Sequence, residues 1–256
     1  MRTTVTVWIA AAVGLAAQGP TRPADDSARI EKEAALGANL AEQVRGRTTP
    51  LASRSAQEYV ERLGAGLAPY IRGAEHPFVF RVIAEDPCPW LHEPVALPGG
   101  YVFVPAALFL AARDGGEFAG MLAHAMAHTA LRGKTAGAQN CGGRAWVPMG
   151  FLKTARENEG RADALALEAL AEAGLDPAAL ARYVARVQAP GGAKPLPEGV
   201  QRMARMQRIL AGLRGGNYGE AGAGFEAVQG EVRRLTARPA AAPAGTAPTL
   251  RRPGDR

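Results

Sequence analysis

Cysteine, histidine and aromatic residues are scarce in this chain of 256 residues, and the shortage of cysteine excludes one class of site at once. The only cysteines are Cys88 and Cys141, and no Cys-x-x-Cys pair exists, so a cysteine-rich metal site is excluded. Aromatics make up 6% of the residues while alanine and glycine abound, which predicts helices packed through small side chains. An apolar fraction of 47% still indicates a folded protein rather than a disordered one.

The N-terminus has no apolar run long enough to cross a bilayer comfortably. The run from Val5 to Ala17 follows one arginine and ends in small residues, which is typical of a cleaved secretory signal over residues 1–19. An uncleaved anchor is the alternative. We therefore expect a periplasmic or secreted protein without a stable transmembrane segment after cleavage. After export, Cys88 and Cys141 could form a disulfide or remain two buried thiols.

The positive charge of the chain is concentrated at its C-terminus. Residues 233–256 hold six arginines and one aspartate, so they contribute +5 of the net charge of +6. Residues 239–256 are rich in proline and alanine, which predicts a disordered tail. Because the charge is not spread over a folded face, a nucleic-acid partner is not predicted.

Hydrophobic periodicity predicts an α+β protein that is mainly α. Helices are expected over residues 27–46, from about Ser55, from Asp114 to Gly133, and from about Thr154 to Ala173. Between the second and third of these helices, HPFVFRVIAED and VALPGGYVFVP predict short strands. The main domain is placed at residues 20–190, followed by a linker and C-terminal helical segment over 191–238.

Two helices together predict a site for one zinc ion. His124 and His128 are four residues apart, so both imidazoles lie on one helix face. Glu159 and Asp163 have the same spacing on the next helix, where Glu159 can supply a third ligand and Asp163 can fix a histidine tautomer. Half-buried core histidines and a solvated acidic face are the alternatives for these pairs.

These motifs resemble the HtpX-like and CAAX-prenyl-protease-like zinc metallopeptidases, peptidase family forty-eight of the metallo class. GGEFAGMLAHAMAHTALRG is similar to the zinc helix of that family, and ENEGRADALALEALAEAGLDP is similar to its third-ligand helix. The resemblance implies a gluzincin-like fold with a small antiparallel sheet. It also implies zinc ligation by His124, His128 and Glu159, with Asp163 behind the histidines.

The resemblance also implies a polypeptide partner. VALPGGYVFVP is similar to the substrate-side edge strand of the family. A strand over Gly100 to Val104 would hold an extended peptide by main-chain hydrogen bonds, a form of β-augmentation. A buried strand is the alternative. The predicted substrate-binding residues are Gly99, Gly100, Tyr101, Val102 and Phe103.

The chain departs from the family pattern in three places. Ala125 stands where the family carries the glutamate that accepts a proton from water, and losing a general base costs about 10²–10⁴-fold in rate. Lys194-Pro195 replaces a His-Pro segment, and the segment CPWLHEP replaces one that contains asparagine.

We therefore expect an exported protein of the zinc metallopeptidase family with impaired proteolysis that binds extended polypeptides. An active metalloendopeptidase in protein quality control and a metal-free structural or interaction module are the alternatives.

Overall fold

The computed structural model describes residues 24–85, 92–131, 155–188, 197–213, 216, 218–219 and 221–237. Several predicted features lie outside the described residues: the signal over 1–19, the tail over 239–256, Cys88, Cys141 and Lys194-Pro195. Within the described ranges, no helix combines the length and the apolar character needed to cross a bilayer.

The described residues form an α+β fold that is mainly α, as the periodicity predicts. The observed helices begin and end within a few residues of the predicted positions, except that α4 stops three residues before Gly133. In chain order the elements are α1 (Ala24–Arg45), α2 (Arg54–Leu67), β1 (Val79–Ile83), β2 (Val95–Leu97), β3 (Tyr101–Pro105), α3 (Ala106–Ala111), α4 (Gly115–Ala130), α5 (Ala155–Glu172), α6 (Ala178–Gln188), α7 (Pro197–Gly212) and α8 (Phe225–Thr236).

The sheet is mixed, so the prediction of an antiparallel sheet is wrong. Its strand order is β1-β3-β2. A 3₁₀ turn over Pro98–Gly100 connects β2 to β3, and these two strands pair antiparallel. The turn sends β3 between β2 and β1, so β3 runs parallel to β1.

The prediction that β3 is an edge strand is also wrong. Tyr101, Val102 and Phe103 pair with β1 on one side and with β2 on the other. Their backbone groups are therefore engaged within the sheet. The two glycines before them serve the turn: Gly99 and Gly100 have φ of 73° and 85°, which L side chains rarely adopt. A Cβ on Gly100 would also lie 2.2 Å from the carbonyl oxygen of Pro77.

Helix α4 lies at the centre of the molecule. Every residue from Phe118 to Ala130 is buried, and the helix packs against α5, α6 and β2. Small residues permit the contact with α6, since a Cβ on Gly120 would lie 2.8 Å from Leu180 Cα. This contact agrees with the small-residue packing expected from the composition.

Helices α7 and α8 belong to the same folded unit as the helices before them. Met206 of α7 and Phe225, Val228 and Val232 of α8 are part of the main apolar core. The predicted domain end at residue 190 is therefore too early. The sequence VQRMARMQRILAGL predicts that α7 is amphipathic, but it does not show which surface covers its apolar face.

Substituting Gly120 with alanine tests the close contact between α4 and α6. The added methyl group would lie within 3.0 Å of three Leu180 atoms, two of them backbone, so the helices must separate. We expect a loss of about 1–3 kcal/mol in the free energy of unfolding, the usual cost of overpacking. Thermal melting followed by circular dichroism measures it.

Gly66→Ala is the matched control, since Gly66 lies in α2 and a Cβ there would meet no atom within 4 Å. That variant should be as stable as the wild type or more stable by up to about 1 kcal/mol. Equal melting temperatures for Gly120→Ala and the wild type would show that α4 and α6 are not packed this closely.

Candidate metal centre

The start of α4 is fixed by its own side chains. Asp114 caps the helix and accepts a hydrogen bond from the Glu117 amide at 2.8 Å. The Glu117 carboxylate accepts from the Arg113 amide and from Arg186 of α6. These contacts fix the start of α4, and the four-residue spacing then places His124 and His128 one turn apart in the interior.

The structure brings together the three side chains that the sequence predicts as metal ligands. The Nε2 atoms of His124 and His128 lie 3.0 Å apart, and their rings are nearly perpendicular. Helix α5 packs along α4 and places the two Glu159 oxygens 3.4 Å from Nε2 of His124 and 3.3 Å from Nε2 of His128. All three ligating groups therefore face one point between the helices.

Asp163 lies behind His124, on the side away from that point. Its Oδ1 atom is 3.0 Å from Nδ1 of His124. The ring N–H is not aligned with the oxygen, so the contact is a close electrostatic pair rather than a well-formed hydrogen bond. A proton held at Nδ1 by this carboxylate leaves the Nε2 lone pair of His124 directed at the cluster.

Glu93 is a fourth member of the cluster that the sequence analysis missed. It lies two residues before β2, and the chain turns into it through His92, whose φ is 50°. Its Oε1 atom lies 2.9 Å from Nε2 of His124 and 3.8 Å from Nε2 of His128. One ligand atom from each of Glu93, His124, His128 and Glu159 lies within 4.8 Å of the others.

A signal for Glu93 was present in the sequence. Glu93 is the only acidic residue in CPWLHEP. This segment stands where the metallopeptidases that the chain resembles have a segment with asparagine.

Arg202 of α7 was missed as well. Its guanidinium group donates two hydrogen bonds to Asp163, at 2.8 and 2.7 Å, and lies 3.5 Å from Glu159. The sequence offered a signal here too. Arg202 is four residues before Met206, so both lie on one face of α7, and both are buried. Val200, two residues before Arg202, is 54% exposed.

The charges of the cluster shift two pKa values in opposite directions. Burial by itself lowers the pKa of His124, but its contacts with Asp163, Glu159 and Glu93 raise it well above the ordinary value. Burial by itself raises the pKa of Asp163, but His124 and Arg202 lower it to about 2. With neutral histidines, three carboxylates and one guanidinium give the cluster a net charge of −2, which a divalent cation would neutralise.

The donor geometry fits a metal ion. For four ligands at about 2.0–2.1 Å around a tetrahedral ion, neighbouring ligand atoms lie about 3.4 Å apart. The two Nε2 atoms are 3.0 Å apart, and each lies within 3.4 Å of one of the two Glu159 oxygens: Oε2 for His124 and Oε1 for His128. These residues could therefore hold a metal ion with little rearrangement.

Comparisons with known proteins add no identification. No protein-family model matches the chain, and no curated protein matches it either. The resemblance to zinc metallopeptidases thus depends on the sequence motifs alone.

Replacing Arg202 with methionine tests how far the cluster depends on its cation. The substitution leaves Asp163 buried without its bidentate partner, and breaking a buried pair in this way costs about 3–5 kcal/mol. We expect a clear fall in the midpoint of urea unfolding. Arg208→Met on the exposed face of α7 is the matched control and should change the midpoint little.

A double variant measures how strongly Asp163 and Arg202 depend on each other for stability. Asp163→Asn with Arg202→Met should be less destabilising than the two single changes added together, because no unpaired charge remains buried. If Arg202→Met unfolds at the same urea concentration as Arg208→Met, the pair does not support the fold.

Proposed function

We propose that this chain is an exported, zinc-binding protein of the metallopeptidase type with a gluzincin-like fold. One zinc ion would be held by His124, His128 and Glu159, and Asp163 would fix the orientation of His124. The observation that carries the proposal is the convergence of the three ligating groups, at 3.0–3.4 Å from one another, in a buried cluster.

Zinc is the metal that best suits this set of ligands. Two imidazole nitrogens and one carboxylate oxygen are ligands of zinc sites, including catalytic ones. With neutral histidines the cluster carries a net charge of −2, which a divalent cation balances. Export is supported by the apolar N-terminal run Val5 to Ala17.

The chain's own residues argue against efficient proteolysis. Bound zinc in such sites polarises a carbonyl group and lowers the pKa of water. A positioned side chain must still accept a proton from the water and pass it to the leaving amine. Ala125 ends in a methyl group that lies in the apolar core, so it can do neither. We therefore propose binding of extended polypeptides as the main activity. The family resemblance supports this part of the proposal, whereas β3 does not, because both of its edges are paired.

An active metalloendopeptidase is the second candidate, and Glu93 is the observation that favours it. This carboxylate lies 2.9 Å from a ligating nitrogen, in the same cluster that lacks an acid at position 125. In the active metalloendopeptidase Glu93 would accept a proton from water during hydrolysis, and in the impaired protein it would not.

Zinc analysis of the purified protein is the first test. We expect about one zinc per chain, and its loss in His124→Ala, because one of three ligands is removed. His76→Ala is the matched control, since His76 lies outside the cluster. Chelation should lower the melting temperature, because a ligand at 100 times its Kd stabilises the folded state by about 2.7 kcal/mol.

A metal-free module would give the opposite result. The wild type would contain no zinc, and a chelator would leave its melting temperature unchanged.

Proteolysis is tested with fluorescently labelled casein. We expect no chelator-sensitive cleavage by the zinc-loaded wild type, because Ala125 provides no proton acceptor. His124→Ala is the background control for contaminating proteases. Chelator-sensitive cleavage that is absent from His124→Ala would establish the active metalloendopeptidase instead.

A further inference from the structure

The geometry points to Glu93 as a fourth protein ligand that closes the metal centre. This inference depends on the proposed zinc site and deepens it. In place of a site with three ligands and an open position, it gives a site with two histidines and two glutamates.

The distances of the Glu93 oxygen from the two histidines are close to those of a fourth tetrahedral ligand. Its distances of 2.9 and 3.8 Å to the two Nε2 atoms fall on either side of the edge of about 3.4 Å that a tetrahedral zinc site needs. The four donor atoms also lie within 4.8 Å of one another, so a single ion can contact all of them.

The same distances favour ligation over a role as proton acceptor. A carboxylate that accepts a proton from water must leave room for that water between itself and the ligands. The Oε1 atom of Glu93 is within hydrogen-bond distance of His124 Nε2, which leaves no space for a molecule between them. Direct ligation needs no such space.

The charge of the buried cluster supports ligation as well. Asp163 and Arg202 balance each other through their bidentate pair. Zinc with Glu93 and Glu159 is neutral, and the Glu93 and His124 side chains are only 2% and 0% exposed. A buried charge is strongly unfavourable unless it is paired, and direct ligation places the Glu93 carboxylate against the ion that balances it.

Closure would change what the metal does. Catalytic zinc sites keep one position open for water, whereas structural sites have four protein ligands. With Glu93 as a ligand, the metal would link the segment before β2 to α4 and α5. The centre would then lack both the proton acceptor and the open position that hydrolysis requires.

Metal affinity is the test. The dissociation constant for Zn²⁺ is measured by competition with a chromophoric chelator for the wild type, Glu93→Gln and Glu93→Asp. We expect affinity to fall by about 100-fold or more in both variants, since even residues that only support a ligand contribute about 10–100-fold. Glu168→Gln, on the exposed surface of α5, is the matched control and should bind as the wild type does.

The aspartate variant separates ligation from charge. It keeps the negative charge but is one methylene shorter, so wild-type affinity in Glu93→Asp with weak binding in Glu93→Gln would indicate attraction alone and overturn the proposal. Co²⁺ bound in place of zinc gives a second measurement. Its visible spectrum should change in Glu93→Gln, because a water would replace a carboxylate. Circular dichroism of the metal-free forms checks that the variants fold. If Glu93→Gln is unfolded, the affinity of Glu93→Asp decides the test.

The failure of this inference is distinct from the failure of the proposed function. Absence of zinc from the wild-type protein would overturn both the inference about Glu93 and the proposed function. Zinc in the wild type, with unchanged affinity and cobalt spectrum in Glu93→Gln, would overturn ligation by Glu93 and leave the three-ligand site in place. Unchanged affinity together with Glu93-dependent cleavage of casein would make Glu93 the proton acceptor, which also overturns the proposal.

Discussion

Buried charge between α4 and α5 is the constraint on which the rest of this structure depends. Three carboxylates, two histidines and one arginine share an interior in which unpaired charge is very unfavourable. Each group therefore needs a fixed partner at short range. Asp163 is paired with Arg202 and His124, while Glu159 and Glu93 face the histidine nitrogens. Through these pairings, α7 and the segment before β2 are joined to α4 and α5.

Close packing around α4 makes such an arrangement possible. The small side chains of this helix let its neighbours approach, as at Gly120 against Leu180. On another side, Phe118 packs with Tyr59, Phe109 and Phe225, so four aromatic residues lie together at one end of α4. The helix is therefore held firmly along its length, and its histidines keep one orientation. A metal site depends on this kind of preorganisation, because each ligand must reach the ion without disturbing the core.

Local patterns predicted most of the elements but not how they are combined. Helical periodicity, the Asp114 cap and the spacing of His124 and His128 were sufficient for α4, since each depends on residues within a few positions. The order of the strands in the sheet was harder to predict. VALPGGYVFVP showed two short strands and a turn, but strand order depends on pairing with β1, about twenty residues earlier. The error about β3 follows from this, because a strand sequence does not show which of its edges will be occupied.

The sequence by itself determined the class of fold, the pair of helices that carry His124, His128, Glu159 and Asp163, and the absence of an acid at position 125. Only the tertiary structure decided that Glu93 and Arg202 join them, from 31 and 39 residues away along the chain. The physical reason is the range of the interactions. Helix periodicity and capping are local, whereas the pairing of buried charges acts through space between elements whose separation in sequence gives no indication that they meet.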